Sequence, residues 1–342
     1  HGADPHAARP GTIPGAAKAQ GDSALLSSPH RAKAQADEAL SLVSIPGAKP
    51  AAATRIPAGT APARLPAEES SDEAPEAAPR PSSHASDVDR PTYKLGPRPA
   101  DYALIVGVEK YSKLPAASFA ERDAAAVRKH LEAMGFPPRN IIHLKGQAAT
   151  RGALQGYIEE WLPRNIKPES TLFFYYSGHG APDPKTGEAF LVPWDGDAMF
   201  LQSTAYPLKQ LYSSLAKLKA KEIVIALDSC FSGAGGRSVL AAGARPLVTK
   251  VDEGVVPRGN ITLFAAASGD EITGSLDEQG HGMFTYYFLK GLGGAAKDSS
   301  GAVTAKSLYE YLRPNVQDEA NRQNREQTPR LVGQQDRTII QF

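Results

Sequence analysis

Four short runs of almost unbroken apolar residues constrain this chain more than any other feature: YALIVGV at 102–108, TLFFYY at 171–176, EIVIAL at 222–227 and NITLFAA at 260–266. A strand that is apolar at consecutive positions offers no face to water, so it must be covered on both sides. Each run falls far short of the roughly 18–20 residues that a membrane helix needs. Between the runs lie segments of helical spacing, the first at 119–134 with Phe119, Ala126, Val127 and Leu131 on one side. Others follow at 153–161, ending near Pro163, and at 208–218, 284–292 and 306–312. Further extended pieces fall at 140–144, 188–192 and 337–342, the last read as a final edge strand. Buried strands alternating with amphipathic helices predict an α/β fold, a mainly parallel sheet with helices on both faces.

The pattern begins only near residue 100. Tyr93 is the sole aromatic residue among the first 100 positions, which hold 15 of the 28 prolines. Such a segment buries too little apolar surface to offset about 1–2 kcal/mol of backbone entropy per ordered residue. Residues 1–97 are therefore expected to be a disordered Ala/Pro-rich tail or pro-segment, and residues 98–342 one folded domain. Lysine and arginine number 38 against 37 aspartate and glutamate. That balance lacks the basic excess on which nucleic-acid or anionic-membrane binding depends, and neither partner is expected. The single cysteine, Cys230, excludes an intrachain disulfide and a multi-thiolate metal site. The chain opens on His1 and its first methionine is Met134. A removed leader is the expectation, and with it an extracytoplasmic location, secreted or periplasmic, with the cytoplasm as the alternative.

In open α/β sheets the reactive groups gather beyond the carboxyl ends of the strands. Two polar, glycine-flanked turns occupy such positions here: SGHG at 177–180, after the run at 171–176, and DSCFSG at 228–233, after the run at 222–227. A polar turn is a poor place for a cysteine that only packs. A thiol with an ordinary pKa of about 8.5 is only a few per cent thiolate at neutral pH, so a nucleophile needs a base within reach. Of the eight histidines, His1, His6, His30 and His84 lie in the tail, His130 in a helix, His143 in a strand and His281 in a glycine-rich loop. Only His179 sits between two glycines directly after a buried strand. His179 and Cys230 are the candidate base and nucleophile.

The motifs YYSGHG at 175–180 and DSCFSG at 228–233 resemble the two signatures of the caspase-like cysteine peptidases, particularly the bacterial and metacaspase-type members. The likeness includes the run at 102–108, the helix bearing Asp123, LVPWD at 191–195 and AAS at 266–268; the tail lies outside it. The resemblance implies a mostly parallel six-stranded sheet and a Cys-His dyad without a third acidic member. His179 matches the base that later protonates the leaving amine, and Cys230 the nucleophile that forms a thioester. The backbone N–H groups of Gly180 and Cys230 match the oxyanion hole. Asp123, Ser177 and Asp228 match the residues that line the first substrate pocket. Two carboxylates in a narrow, partly desolvated pocket favour a guanidinium or ammonium, so cleavage after Arg or Lys is expected.

The same likeness makes residues 234–259 a mobile processing loop, with Arg237, Arg245, Lys250 and Arg258 as candidate self-cleavage sites. Arg90, Lys94 and Arg98 at the tail boundary are further candidates. Several metacaspases use calcium, and Asp195 and Asp197 offer oxygen ligands. The stretch GAGGR at 233–237 lacks the acid that would follow the cysteine motif, so neither a metal nor another cofactor is expected. Protein or peptide substrates are the expected partners, and a monomer is favoured. A thiol-phosphatase loop needs five residues between cysteine and arginine, whereas six separate Cys230 from Arg237. The reading that stays open beside a peptidase is a catalytically silent or zymogen caspase-fold interaction protein.

Overall fold

The computed structural model describes residues 85–183, 185–231, 259–268 and 271–342. Along the chain the first elements are β1 (Tyr102–Gly107), α1 (Ala120–Ala133), β2 (Ile141–Lys145) and α2 (Arg151–Gly156). A π turn, Tyr157–Trp161, carries α2 into α3 (Leu162–Asn165), followed by β3 (Thr171–Ser177), β4 (Gly180–Pro182) and β5 (Ala189–Leu191). Next come α4 (Leu201–Thr204), β6 (Tyr206–Pro207), α5 (Leu208–Ala216), β7 (Glu222–Asp228) and β8 (Ile261–Ala265). The chain ends with β9 (Ser275–Leu276), β10 (His281–Gly282), α6 (Met283–Lys290), β11 (Ala302–Thr304), α7 (Ala305–Arg322), β12 (Arg330–Gly333) and β13 (Thr338–Gln341).

Six strands form the central sheet in the order β12-β8-β7-β3-β1-β2. All neighbours are parallel except β12, which runs antiparallel to β8. The alternation of side chains divides the core in two, as two-sided burial requires. Ile105, Phe173, Tyr175, Val224 and Phe264 pack with Val127 and Leu131 of α1, Phe284 and Phe288 of α6, and Leu308 and Leu312 of α7. Their neighbours Leu104, Val106, Phe174, Tyr176, Ile225 and Leu227 pack with Leu154, Ile158 and Leu162 and with Leu211 and Leu215 of α5. The expected α/β fold with helices on both faces is thus the fold observed. No helix among the described residues is long and apolar enough to cross a membrane.

The edge strands differ from expectation. Residues 337–342 do supply a strand, β13, but it pairs with β11 in a separate two-stranded ribbon. The sixth strand of the main sheet is β12, a short and only half-buried segment that pairs antiparallel with β8. Helix limits set by proline also shift. The π turn lets the backbone N–H of Leu162 bond to Tyr157 O, so the helix passes Pro163 and ends at Asn165. Helix α7 passes Pro314, because Leu308, Leu312, Val316 and Ala320 bury a continuous apolar stripe. That packing outweighs the roughly 3 kcal/mol a proline costs inside a helix.

Residues 85–97, assigned to the tail from sequence, are packed against the domain. Val88 is buried, Tyr93 Oη lies 3.1 Å from His130 Nδ1, and Leu95 N–H donates to Ala133 O at 2.7 Å. The Tyr93 ring also meets Phe342 edge to face. Three large side chains suffice here because α1 and the carboxyl terminus already provide the surface they cover. The rest of the expected tail, residues 1–84, lies outside the described residues.

Candidate active site

Parallel pairing of β3 and β7 sets Ser177 directly opposite Asp228. The two strands therefore end level, and the turns that follow them start side by side. Glycine is required where they touch. Gly178 has φ +155°, and a Cβ there would lie 2.6 Å from Tyr111 Oη. A Cβ on Gly180 would lie 2.2 Å from Cys230 O and 2.6 Å from the Phe231 ring. No real Cβ approaches a carbonyl oxygen so closely, so glycine is what lets the SGHG and DSCFSG backbones meet.

His179 is buried, and its ring is held from several sides. Tyr111 stacks at 4.7 Å between centroids and its hydroxyl accepts the His179 backbone N–H at 2.6 Å. Nε2 lies 2.8 Å from Pro115 O. A carbonyl only accepts, so Nε2 carries the proton, and in the neutral ring Nδ1 is the basic nitrogen. The turn itself is clamped by LVPWD: Val192 N–H donates to His179 O at 3.0 Å, and the Tyr176 hydroxyl is shared between His179 O and Val192 O. A motif recognised in the sequence only by likeness thus has a physical task.

Cys230 is fully buried. Its Sγ accepts the Thr273 backbone N–H at 2.7 Å and lies 2.9 Å from Thr273 Oγ1. Thr273 belongs to a turn fastened to the segment after α7. Gly274 N–H donates to Gln327 Oε1 at 2.8 Å, while the N–H groups of Ser268 and Thr328 both bond to Glu271 Oε2. In this conformation the sulfur is covered by a residue that the sequence reading missed. A single threonine 43 residues away carries no local signal.

The three expected pocket residues come together, each without solvent exposure. Ser177 Oγ donates to Asp123 Oδ2 at 3.3 Å. Asp123 Oδ1 accepts from His281 Nδ1 at 2.7 Å, and Gly282 N–H lies 3.2 Å from both carboxylate oxygens. Thr285 donates to Asp228 Oδ2 at 2.6 Å, so the Tyr175 hydroxyl, also 2.6 Å away, donates to Thr285. Both acids are therefore served from the amino end of α6, where the helix dipole favours negative charge. His281, read from sequence as an ordinary loop histidine, is part of this network.

Other sequence candidates lie elsewhere. Asp195 Oδ1 accepts Arg151 N–H at the start of α2. Asp197 pairs with Lys113 at 2.8 Å and caps Met199 N–H, and the Lys113 hydrogen bond holds its carboxyl below the ordinary value. No group of three or more metal-ligating side chains occurs among the described residues. Arg90 and Lys94 are exposed, whereas Arg98 pairs with Asp101 and lies over the Phe136 ring. Arg237, Arg245, Lys250 and Arg258, with almost all of the expected processing loop, lie outside the described residues.

The family model of the caspase domain, peptidase family C14, matches residues 100–338. A protein of Geobacter sulfurreducens known from its crystal structure has the same fold, with a TM-score of 0.51 and 18% sequence identity. The match covers 69% of this chain and 94% of that one. No curated protein matches the chain.

Proposed function

The chain belongs to the caspase-domain peptidase family, and from that premise we propose that it is a cysteine endopeptidase cleaving after Arg or Lys. The observation that carries the reading is the meeting of the two strand-end turns, with Ser177 opposite Asp228 and the Gly180 α-carbon against Cys230 O. Residues from two strands that end level can act on one bound peptide bond.

In the proposed cycle the Cys230 thiol gives its proton to His179 Nδ1, and Sγ attacks the scissile carbonyl. The tetrahedral oxyanion takes hydrogen bonds from the N–H groups of Gly180 and Cys230; losing one such donor costs on the order of 10²–10³ in rate. Collapse expels the amine, which receives the proton from His179. Water then loses a proton to His179 and attacks the thioester, which releases the carboxylate product and restores the thiol. Pro115 O supports this role because it keeps the proton on Nε2 and Nδ1 basic.

Asp123 and Asp228 favour a cation and repel an acidic side chain in the first pocket, with Ser177 beside them. Covered Sγ and enclosed acids support a closed resting form, a zymogen that opens on activation, with cuts at Arg237, Arg245, Lys250 or Arg258 as the proposed trigger. Reporter peptides with Arg, Lys or Asp before the cleaved bond test the reading. Wild type is expected to cleave the Arg and Lys reporters, in chelator as well as in calcium, and to spare the Asp reporter. Cys230→Ala and His179→Ala are expected to lose at least about 10³-fold, and only wild type is expected to fragment by intact mass. Cleavage of none of these peptides by a processed wild-type protein would leave the silent scaffold as the better reading.

A further inference from the structure

His281 is fully buried at the tip of a two-stranded ribbon, where β10 pairs with β9 just ahead of α6. Its two nitrogens face two carboxylates. Nδ1 lies 2.7 Å from Asp123 Oδ1, and because a carboxylate only accepts, the proton is on Nδ1. Nε2 lies 3.3 Å from Asp89 Oδ1. Asp89 belongs to the segment 85–97 and is itself fixed, by Arg122 Nη2 at 2.7 Å and by Ser86 N–H at 3.0 Å. Burial works against ionisation of Asp89, yet the bonds from Arg122 and Ser86, with the charge of Arg122, keep its carboxyl below the ordinary value. Asp89 is thus a close neighbour of the imidazole without a hydrogen bond to it, whereas hydrogen bonds join His281 to Asp123 and Asp123 to Ser177.

We propose that His281 is a positioning residue for the specificity pocket, holding the Asp123 carboxylate in the orientation that receives a basic side chain. The inference rests on the reading of Asp123 as a substrate-pocket acid. A buried carboxylate with two oxygens turns about its Cβ–Cγ bond unless donors hold it. Here His281 Nδ1 and Gly282 N–H hold one edge while Ser177 holds the other. Removing the imidazole leaves a buried acceptor one donor short, and the group then turns away. That response weakens the pocket for a cation and leaves the reacting thiol alone.

The experiment is steady-state kinetics on an Arg reporter with wild type, His281→Leu, His281→Asn and His281→Gln, beside the rate of Cys230 alkylation. His281→Leu is expected to raise KM at least about 10-fold with kcat within about twofold, and to leave alkylation unchanged. His281→Asn, whose amide nitrogen falls where Nδ1 stands, is expected to recover most of the KM; His281→Gln, whose amide reaches toward Asp89 instead, is not. An unchanged KM in His281→Leu with only a lower melting temperature overturns the proposal, as does a loss confined to kcat. Should His281→Leu not fold, the Asn and Gln variants decide, and equal KM values for the two overturn it. If processed wild type cleaves no basic reporter, the pocket reading itself falls and this inference with it; if wild type cleaves and the variants match it, only the inference falls.

Discussion

Thr273 lies directly against the candidate nucleophile, Cys230. Two contacts, at 2.7 and 2.9 Å, cover a sulfur that has no exposed surface. Because Cys230 is the only cysteine, total labelling by iodoacetamide reports this one group. Thr273→Gly, which frees the turn and deletes the hydroxyl, is expected to speed alkylation at neutral pH by at least about fivefold. Equal rates in variant and wild type would mean that some other barrier limits access. Gly180→Ala tests the opposite side of the site. A methyl 2.2 Å from Cys230 O forces the two turns apart, and displacement of about 1 Å near reacting groups costs roughly 10²-fold. We expect kcat/KM on an Arg reporter to fall by about that factor with the circular dichroism spectrum kept. His179 and Cys230 stand out in the sequence as candidates because each sits inside a local pattern, a polar turn after an apolar run. Thr273 and His281 were not, because their contacts join positions 43 and 158 residues apart.

At the scale of elements, local propensity erred where packing or backbone pairing outweighed it. Pro314 is exposed in the middle of α7, with Leu312 and Val316 buried on either side of it. The sequence reading stopped the helix before it, a sound local inference that ignores the apolar stripe beyond. Replacing the proline restores a backbone donor and removes a steric clash, so Pro314→Ala is expected to stabilise the fold by about 1–3 kcal/mol, measured by urea unfolding. No change in the midpoint would show that the helix has adapted fully to the ring. Strand β12 escaped notice for a different reason. Its place is fixed by hydrogen bonds to β8 in register Leu331 opposite Phe264, and backbone pairing leaves little trace in side-chain pattern.

The whole molecule carries a pH response in two imidazoles, one buried and one half-buried. Burial, joined by neighbouring positive charges, lowers the pKa of His130 and of His143 from 6.5 to about 4; for His130 the bond to Val88 O opposes this in part. An unfolded chain takes up these protons below about 6.5, whereas the folded one does so only near 4. Their contribution to stability is therefore complete above 6.5 and is lost as pH falls toward 4. The urea midpoint is expected to drop between pH 7.5 and pH 5, and to drop less in His130→Gln. His130 joins α1 to Val88 and Tyr93, so the response touches residues 85–97. Deletion through residue 97 is accordingly expected to lower the melting temperature more than deletion through residue 84.

The sequence alone determined the layered α/β architecture, because apolar runs and helical spacing are short-range consequences of burial that every residue reports. It also singled out two strand ends as the candidates for the chemistry, since polar, glycine-flanked turns are conspicuous after apolar strands. Tertiary structure decided what lies around those turns: the proton on Nε2 of His179, the threonine over the sulfur, the imidazole between Asp89 and Asp123, and the fitting of residues 85–97 onto α1. Each of these depends on a contact between residues far apart in the chain. A hydrogen bond needs its two atoms about 3 Å apart, and only the closed fold brings them there.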